Sequence, residues 1–455
     1  MQIQQTPINQ IIQKSIQVSL SVGMTRFVQM ISSFIGMLMV AHLGHDQLSA
    51  SALITPIQAL IFVIGASLIT SVGILSAKAF GAKEYTAAGK CFHNGFVIAL
   101  GLSIIIDIIL YYADTILIFL GQPEASVNLA QQYFNIFIIA TPLYLCIFVF
   151  QQFLIAVDRK RLIVLMSFLS LPVTAILSYG LIYGHLGLPK LGISGLAWSS
   201  SIWGLLSIII YASYLFGSTY FHPFRVFSSF ETIQLSQIKQ MLKIGLPIAF
   251  QSASDILSFL AITFMIGWLG NNALAIQQVV NQYFLLLVVP ILSLSQTSSI
   301  LVAQAYGAKN LFDIKRYGNA ILTIGLFFAL IVMLLFIIFP DHLILFYAGD
   351  DHSFTPDLLH LASIILILTG SRLFLDTIIE VKVGSLRGIL DVHFPMIISV
   401  ILSWIICIPL AYIFCFTFNL GLIGISIAGI IMMLVGACIL YIRWVYKTQT
   451  IQWKN

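Results

Sequence analysis

Charge is what this chain has least of: Asp, Glu, Lys and Arg make up 8% of its 455 residues, whereas 60% are apolar. That leaves too little polar surface to cover a water-soluble globule of this length, so the sequence reads as a membrane protein. Cysteine is sparse too. Cys91, Cys146, Cys407, Cys415 and Cys438 sit mostly inside apolar runs without CxxC spacing, which argues against a disulfide framework or thiolate metal centre and leaves them as small core residues. There is no GxxxxGK[ST] phosphate loop. "AAGKC" around Lys90 has the GK pair but neither the earlier glycine nor the following Ser or Thr, so ion coupling replaces ATP hydrolysis as the expected driving force. No HExxH motif occurs, and no nucleophile, base and orienter fall at one depth. No catalytic residues are therefore expected, and the chain does not read as an enzyme. In "HLGHD", His42 and His45 beside Asp46 form a lone histidine pair. Such a pair rarely completes a site, and no metal is expected. The net charge of +5 lies in short loops without a long basic arm, so no nucleic-acid partner is expected.

Long apolar runs, by contrast, are abundant. Twelve occur, at 16–41, 51–77, 91–112, 129–156, 162–184, 193–216, 240–268, 273–305, 318–339, 358–386, 394–418 and 421–442. Each is long enough to cross a hydrocarbon core roughly 30 Å thick. They lack the alternating pattern of outer-membrane strands, and backbone groups in lipid must be satisfied within the segment, so helices are expected. The first run shows no small-residue cleavage site and reads as a retained helix. The expected fold class is an all-α polytopic membrane protein with twelve transmembrane helices.

The chain also repeats itself. "ILSAKAFGAKE" starting at Ile74 returns as "ILVAQAYGAKN" at Ile300, 226 positions later, and "MVAHLG" from Met39 returns as "MIGWLG" from Met265. Six helices per half bring both halves into the membrane from the same side. That predicts parallel repeats forming two pseudo-symmetric six-helix lobes, 12–216 and 240–446, joined by a polar linker at 217–239. The termini and the loops after even-numbered helices carry nearly all the Lys and Arg, among them Lys83, Arg159, Lys309, Arg443 and Lys454, while the opposite loops carry only Lys190. The positive-inside rule then places both termini and the linker in the cytoplasm of a multi-pass protein of the cytoplasmic membrane, with Asp341, Asp350, Asp351 and Asp357 outside.

Ionisable residues inside the membrane are functional candidates by default. Here they are Arg26, Asp107, Asp255, Arg372, Asp376, Glu380 and Lys382. Counted from the nearest cytoplasmic charge at about 1.5 Å per residue, Arg26, Asp255 and Asp376 lie roughly 17 to 18 Å deep, near the midplane. Arg372, Asp376 and Glu380 are four apart and share a helix face. Asp255 and Asp376, with Glu380, read as a coupling-ion or proton site facing a cavity, the competing reading being structural pairing with Arg26 and Arg372. Gln278 and Gln282 share a face with Asn281 beside them, positioned either to bind substrate or to hold helices together. Pro247 and Pro290 are candidate hinges or static kinks.

Several stretches in order carry a family likeness: "MLMVAHLG", "AKAFGAKE", "GLPKLGISGLAWSS", "GLPIAFQSASD", "VAQAYGAKN", "LDTIIEVKVGSLRG" and "LGLIGISIA". Together they resemble the multidrug and toxic compound extrusion (MATE) family, NorM-like branch, over nearly the whole chain. The resemblance implies two six-helix lobes in a V around a cleft that binds small organic substrates. It implies export by antiport with H+ or Na+, with no cofactor beyond that coupling ion, by a monomer surrounded by membrane lipid. Asp255 and Asp376 match acids of the family's C-terminal lobe. Two positions depart from the pattern. Gly36 stands where the family usually has an aspartate in the first helix, and Arg372 stands where an aromatic residue is common. A guanidinium beside Asp376 would weaken sodium or proton binding there. Alternatives are therefore an exporter of an anionic or zwitterionic metabolite with altered coupling, in which Arg26 and Arg372 line the substrate cleft because guanidinium suits carboxylate or phosphate, or a lipid or lipid-linked precursor flippase.

Overall fold

A computed structural model describes residues 7–226, 234–348 and 355–451. Linker residues 227–233, Asp350, Asp351, Lys454 and the side chain of His45 lie outside the described residues. Twelve described helices are long and apolar enough to cross a membrane. In chain order they are α1 (Ile8–Ala41), α2 (His45–Gly81), α3 (Tyr85–Tyr111), α4 (Glu124–Ala156), α5 (Arg161–Tyr183) and α6 (Ser194–Gly217), then α7 (Leu235–Gly267), α8 (Asn271–Gly307), α9 (Leu311–Ile338), α10 (Pro356–Gly388), α11 (His393–Thr417) and α12 (Gly421–Thr450). No strand occurs among the described residues. Each apolar run falls on one helix, and several helices outrun it because polar residues continue the turns past the lipid-compatible stretch. Two short helices, Ala113–Phe119 and Pro340–Ala348, lie between the long ones.

The chain divides into two compact units, residues 24–249 and residues 250–455 together with 1–23. Helices α1 and α7 are thus each shared between units. Lys14 on α1 donates to Gln304 Oε1 on α8 at 3.0 Å within the second unit. Asn94 on α3 donates to Gln237 Oε1 on α7 at 2.8 Å within the first.

The repeated sequence has a structural counterpart. At the end of α2, Lys83 takes a left-handed backbone (φ 62) and Glu84 N–H bonds the Ala79 carbonyl at 2.9 Å; at the end of α8, Lys309 (φ 53) and the Asn310 N–H bond to Ala305 at 3.1 Å repeat the cap. This 6→1 closure satisfies carbonyls that a helix end leaves orphaned. A lysine, rather than the glycine two residues earlier, occupies the left-handed position. Glycine instead serves close packing. A Cβ on Gly195 would lie 2.6 Å from the Leu181 carbonyl carbon, and one on its counterpart Gly424 would lie 2.7 Å from that of Phe414. Only a hydrogen lets α6 start against the end of α5, and α12 against the end of α11. Helix α11 departs from regular α geometry in two wide π turns, Ile401–Cys407 and Ile413–Thr417, on either side of Pro409. Wide turns relieve a ladder that lacks the proline N–H.

Candidate functional site

In the unit of residues 250–455, α7, α8, α10, α11 and α12 surround a cavity of about 500 Å³. Helix α10 contributes most of the charge. Its four-residue spacing turns Arg372, Asp376 and Glu380 toward the same space, and Arg387 joins them at the helix end. Helix α7 adds Asp255 and Gln251, α8 adds Gln277 and Asn281, and α11 adds Ser399 and Cys407.

Hydrogen bonds hold the walls of this cavity. Ser399 Oγ donates to Asp255 Oδ1 at 2.7 Å, and Arg387 Nη2 donates to Gln251 Oε1 at 3.0 Å. The Gln277 amide donates to Asn281 Oδ1 at 2.9 Å. Ser295 Oγ, on α8, donates to the Glu380 carbonyl at 2.8 Å and so pins α10 beside the acids. Arg372 lies 5.2 Å from the centroid of the Phe284 ring, within cation–π range. Among the described residues, no direct ion pair joins Asp255, Asp376 or Glu380 to Arg372 or Arg387; elsewhere Asp391 pairs with Arg443 at 2.9 Å and with Lys447 at 3.7 Å. The Nε atoms of both cavity arginines are buried without a hydrogen-bond partner. Among the described residues, no group of three or more His, Cys, Asp or Glu is arranged to hold a metal ion.

Of the residues singled out in the sequence, Asp255, Asn281, Arg372, Asp376 and Glu380 come together in this cavity. The amide face is different from the expected one. Gln278 is exposed, and neither it nor Gln282 lines the cavity, whose place is taken by Gln277 with Asn281. The reason is rotational: one residue is about 100° of helix, and α8 carries amides on two adjacent faces. Arg26 belongs to the unit of residues 24–249, is half-buried and lines neither cavity described here. Pro247 and Pro290 lie inside unbroken helices, and the Pro290 carbonyl accepts from Ser293 Oγ at 2.6 Å. Lys382 faces away from the cavity, fully buried, with its Nζ 3.3 Å from the Gly318 carbonyl and 5.3 Å from the rings of Tyr441 and Trp444. Arg387 was missed as a site residue because its place at a helix end reads as a surface charge. Ser399 was missed because a lone serine in an apolar helix carries no signal.

A second cavity, of about 400 Å³, lies in the unit of residues 24–249 and contains Gly36 in its wall. No Asp, Glu, Lys, Arg or His lines it.

The MatE family model matches residues 22–180 and 247–413, one segment in each half. The chain belongs to the MatE family. It is 28% identical over 407 residues to a probable multidrug resistance protein NorM of Rhizobium meliloti, covering 90% of this chain and 87% of that protein. It is 30% identical over 368 residues to a protein of the same description from Bacillus cereus, covering 81% and 80%. Its fold is similar to that of a multidrug resistance MATE family transporter of the MOP superfamily in an outward-facing conformation, with TM-score 0.87, 18% identity and coverage of 98% and 97%. It is also similar to a MOP superfamily transporter from Pyrococcus furiosus, for which reverse polarity of the binding pocket suggests a different function, with TM-score 0.86, 18% identity and coverage of 96% of each chain. The described helices thus give a MatE-family member its all-helical, twelve-span architecture.

Proposed function

We propose that this MatE-family protein is a secondary active efflux transporter that exports small organic compounds across the cytoplasmic membrane by antiport with H+ or Na+. The observation that carries this reading is the convergence of Asp255, Asp376 and Glu380 on one cavity. Carboxylates in a membrane-spanning segment are costly unless hydrated or paired, so occupation of this cavity by an inward-moving cation changes its electrostatic balance. Alternating access by the two repeated lobes, 12–216 and 240–446, completes this reading. The working unit is a monomer in membrane lipid, with both termini cytoplasmic.

A second reading is favoured by the two buried, unpartnered Nε donors of Arg372 and Arg387. Guanidiniums beside carboxylates suit a substrate carrying an anionic group, alone or with a cationic one, and such a substrate would alter the coupling. Efflux from proteoliposomes under an imposed sodium gradient, proton gradient or neither, with one cationic dye and one organic anion, tests both readings. Gradient-driven export of the dye supports the first, and gradient-driven export of the anion alone supports the second. Export of either compound that ignores both gradients sinks antiport.

A further inference from the structure

Among the described residues, α11 is the spanning helix that carries wide turns, and proline alone does not account for them. Pro56, Pro142, Pro172, Pro247 and Pro290 each sit inside a spanning helix of regular α geometry. Pro409 has no N–H to fix the register of the turn before it, so it permits a wide turn without demanding one. The turn Ile401–Cys407 closes with a five-residue bond from the Ile408 N–H to the Ser403 carbonyl. Turns of this kind are frequent at functional sites. Here the pitch decides what faces the charged cavity. Lining residues step by three where α11 is regular, from Pro395 to Ile398, and by five across the turn, from Leu402 to Cys407 and from Ser403 to Ile408. At regular pitch Ile406, four residues past Leu402, would stand where Cys407 does.

Two bonds to α7 match the wide pitch. Ser399 Oγ donates to Asp255 Oδ1 at 2.7 Å, and Trp404 Nε1 donates to Ser254 Oγ at 3.0 Å. The donors are five residues apart and the acceptors adjacent. At about 100° per residue, regular pitch would set Ser399 and Trp404 roughly 140° apart around α11, whereas a turn closed by a five-residue bond brings them toward one side. We propose that Trp404 is a positioning residue for the Asp255 carboxylate, acting through the pitch of the Ile401–Cys407 turn. This role rests on the proposed coupling site, of which Asp255 is a part. Without a cation on Asp255, the charge-assisted bond from Ser399 and the indole bond together hold the wide turn against α7. A cation on Asp255 competes for the carboxylate that Ser399 holds. The Ser399 bond weakens, the turn relaxes toward regular pitch, Trp404 leaves Ser254, and Cys407 swings out of the cavity. Occupancy of one carboxylate thereby shifts the balance between two shapes of the cavity wall.

Fluorine NMR of the full chain in detergent, labelled with 5-fluorotryptophan and without an ion gradient, tests the role. The Trp404 line is the one missing from Trp404→Phe. Ser254→Ala cuts the indole bond and should shift that line. Ser399→Ala and Asp255→Asn remove no atom of the indole bond, yet both should shift the line in the same direction. Ser254→Thr keeps the hydroxyl and should leave it in place. Cys407, followed by mass spectrometry, should react with a methanethiosulfonate reagent about fivefold or more slowly in Ser254→Ala and Ser399→Ala, the shift expected from one hydrogen bond. Sodium or acid titration should move the line of the parent chain along the same path, and Asp255→Asn should not respond. An unchanged Trp404 line or Cys407 rate in Ser399→Ala, in protein that elutes from size-exclusion chromatography like the parent chain, overturns the positioning role and leaves the antiport reading intact. A line that moves in the variants but with neither cation supports the positioning role and counts against Asp255 as a coupling acid.

Discussion

Replacing Gly384 with alanine should damage the charged cavity's scaffold in a measurable way. A Cβ at Gly384 would lie 2.9 Å from the carbonyl carbon and 3.0 Å from the Cα of Ser295, and closer still to its carbonyl oxygen. These are backbone atoms of α8 and cannot rotate away. Carbon contacts settle near about 3.5 to 4 Å, so α8 and α10 must part by roughly 1 Å. Overpacking of this kind costs about 1–3 kcal/mol. The separation also stretches the Ser298–Ser385 hydroxyl bond of 2.7 Å and the bond from Ser295 to the Glu380 carbonyl, each worth about 0.6 kcal/mol between membrane helices. The expected total is about 2–4 kcal/mol, which for a unit of this size lowers the unfolding midpoint by roughly 5 to 10 °C or more. Gly73→Ala is the internal control, because its nearest neighbours belong to the Gln152 side chain, which can turn aside. Thermal unfolding in detergent, followed by circular dichroism, compares the two. Midpoints for Gly384→Ala and Gly73→Ala that agree within about a degree would refute the backbone-contact reasoning.

Other substitutions probe separate parts of the molecule. Asn310→Ala removes the cap whose Oδ1 accepts from the Asp313 N–H at 3.1 Å and whose amide donates to Asp313 Oδ2 at 2.9 Å. It should cost about 1–2 kcal/mol in the same unfolding assay, and an unchanged midpoint would contradict a stabilising cap. Lys382→Met replaces a fully buried amine by an apolar chain of similar length and should leave stability equal or higher. A loss above about 2 kcal/mol would show that the amine itself is required. Arg372→Tyr removes a positive charge from the wall that carries Asp376 and should strengthen cation binding about tenfold or more in a sodium or proton titration; weaker binding would count against a cation site there. Asp391→Asn breaks the ion pairs to Arg443 and Lys447, whose side chains are 25% and 35% exposed. It should cost under about 1 kcal/mol and less in high salt, which unfolding at two ionic strengths measures.

The helices were legible because crossing lipid demands about twenty apolar residues, and nothing else in a chain of this composition imitates that. Their ends were less so. Hydropathy marks the hydrocarbon layer, whereas the backbone ladder runs on, so α1 starts at Ile8 and α12 continues to Thr450. The short helices Ala113–Phe119 and Pro340–Ala348 fall outside that signal. At the site, four-residue spacing was enough to expect Arg372, Asp376 and Glu380 on one face, and the cavity they line also takes in Asp255. Helix rotation was not determined where amides crowd adjacent faces, which is why Gln277 rather than Gln278 meets the cavity. Arg387 was hidden by its position: a basic residue at a helix end reads as an orientation signal, yet its guanidinium bonds Gln251. The neutral cavity gave no warning at all, because serines and aromatic rings scattered through apolar helices look like ordinary membrane packing.

In the proposed antiport, the acids of the charged cavity tie substrate export to cation entry. Its most direct test uses one proteoliposome preparation to measure gradient-driven efflux and gradient-free substrate exchange in the parent chain and in Asp376→Asn. Asp376→Asn should retain exchange but lose its response to an imposed sodium or proton gradient. Full gradient-driven efflux by Asp376→Asn would contradict it.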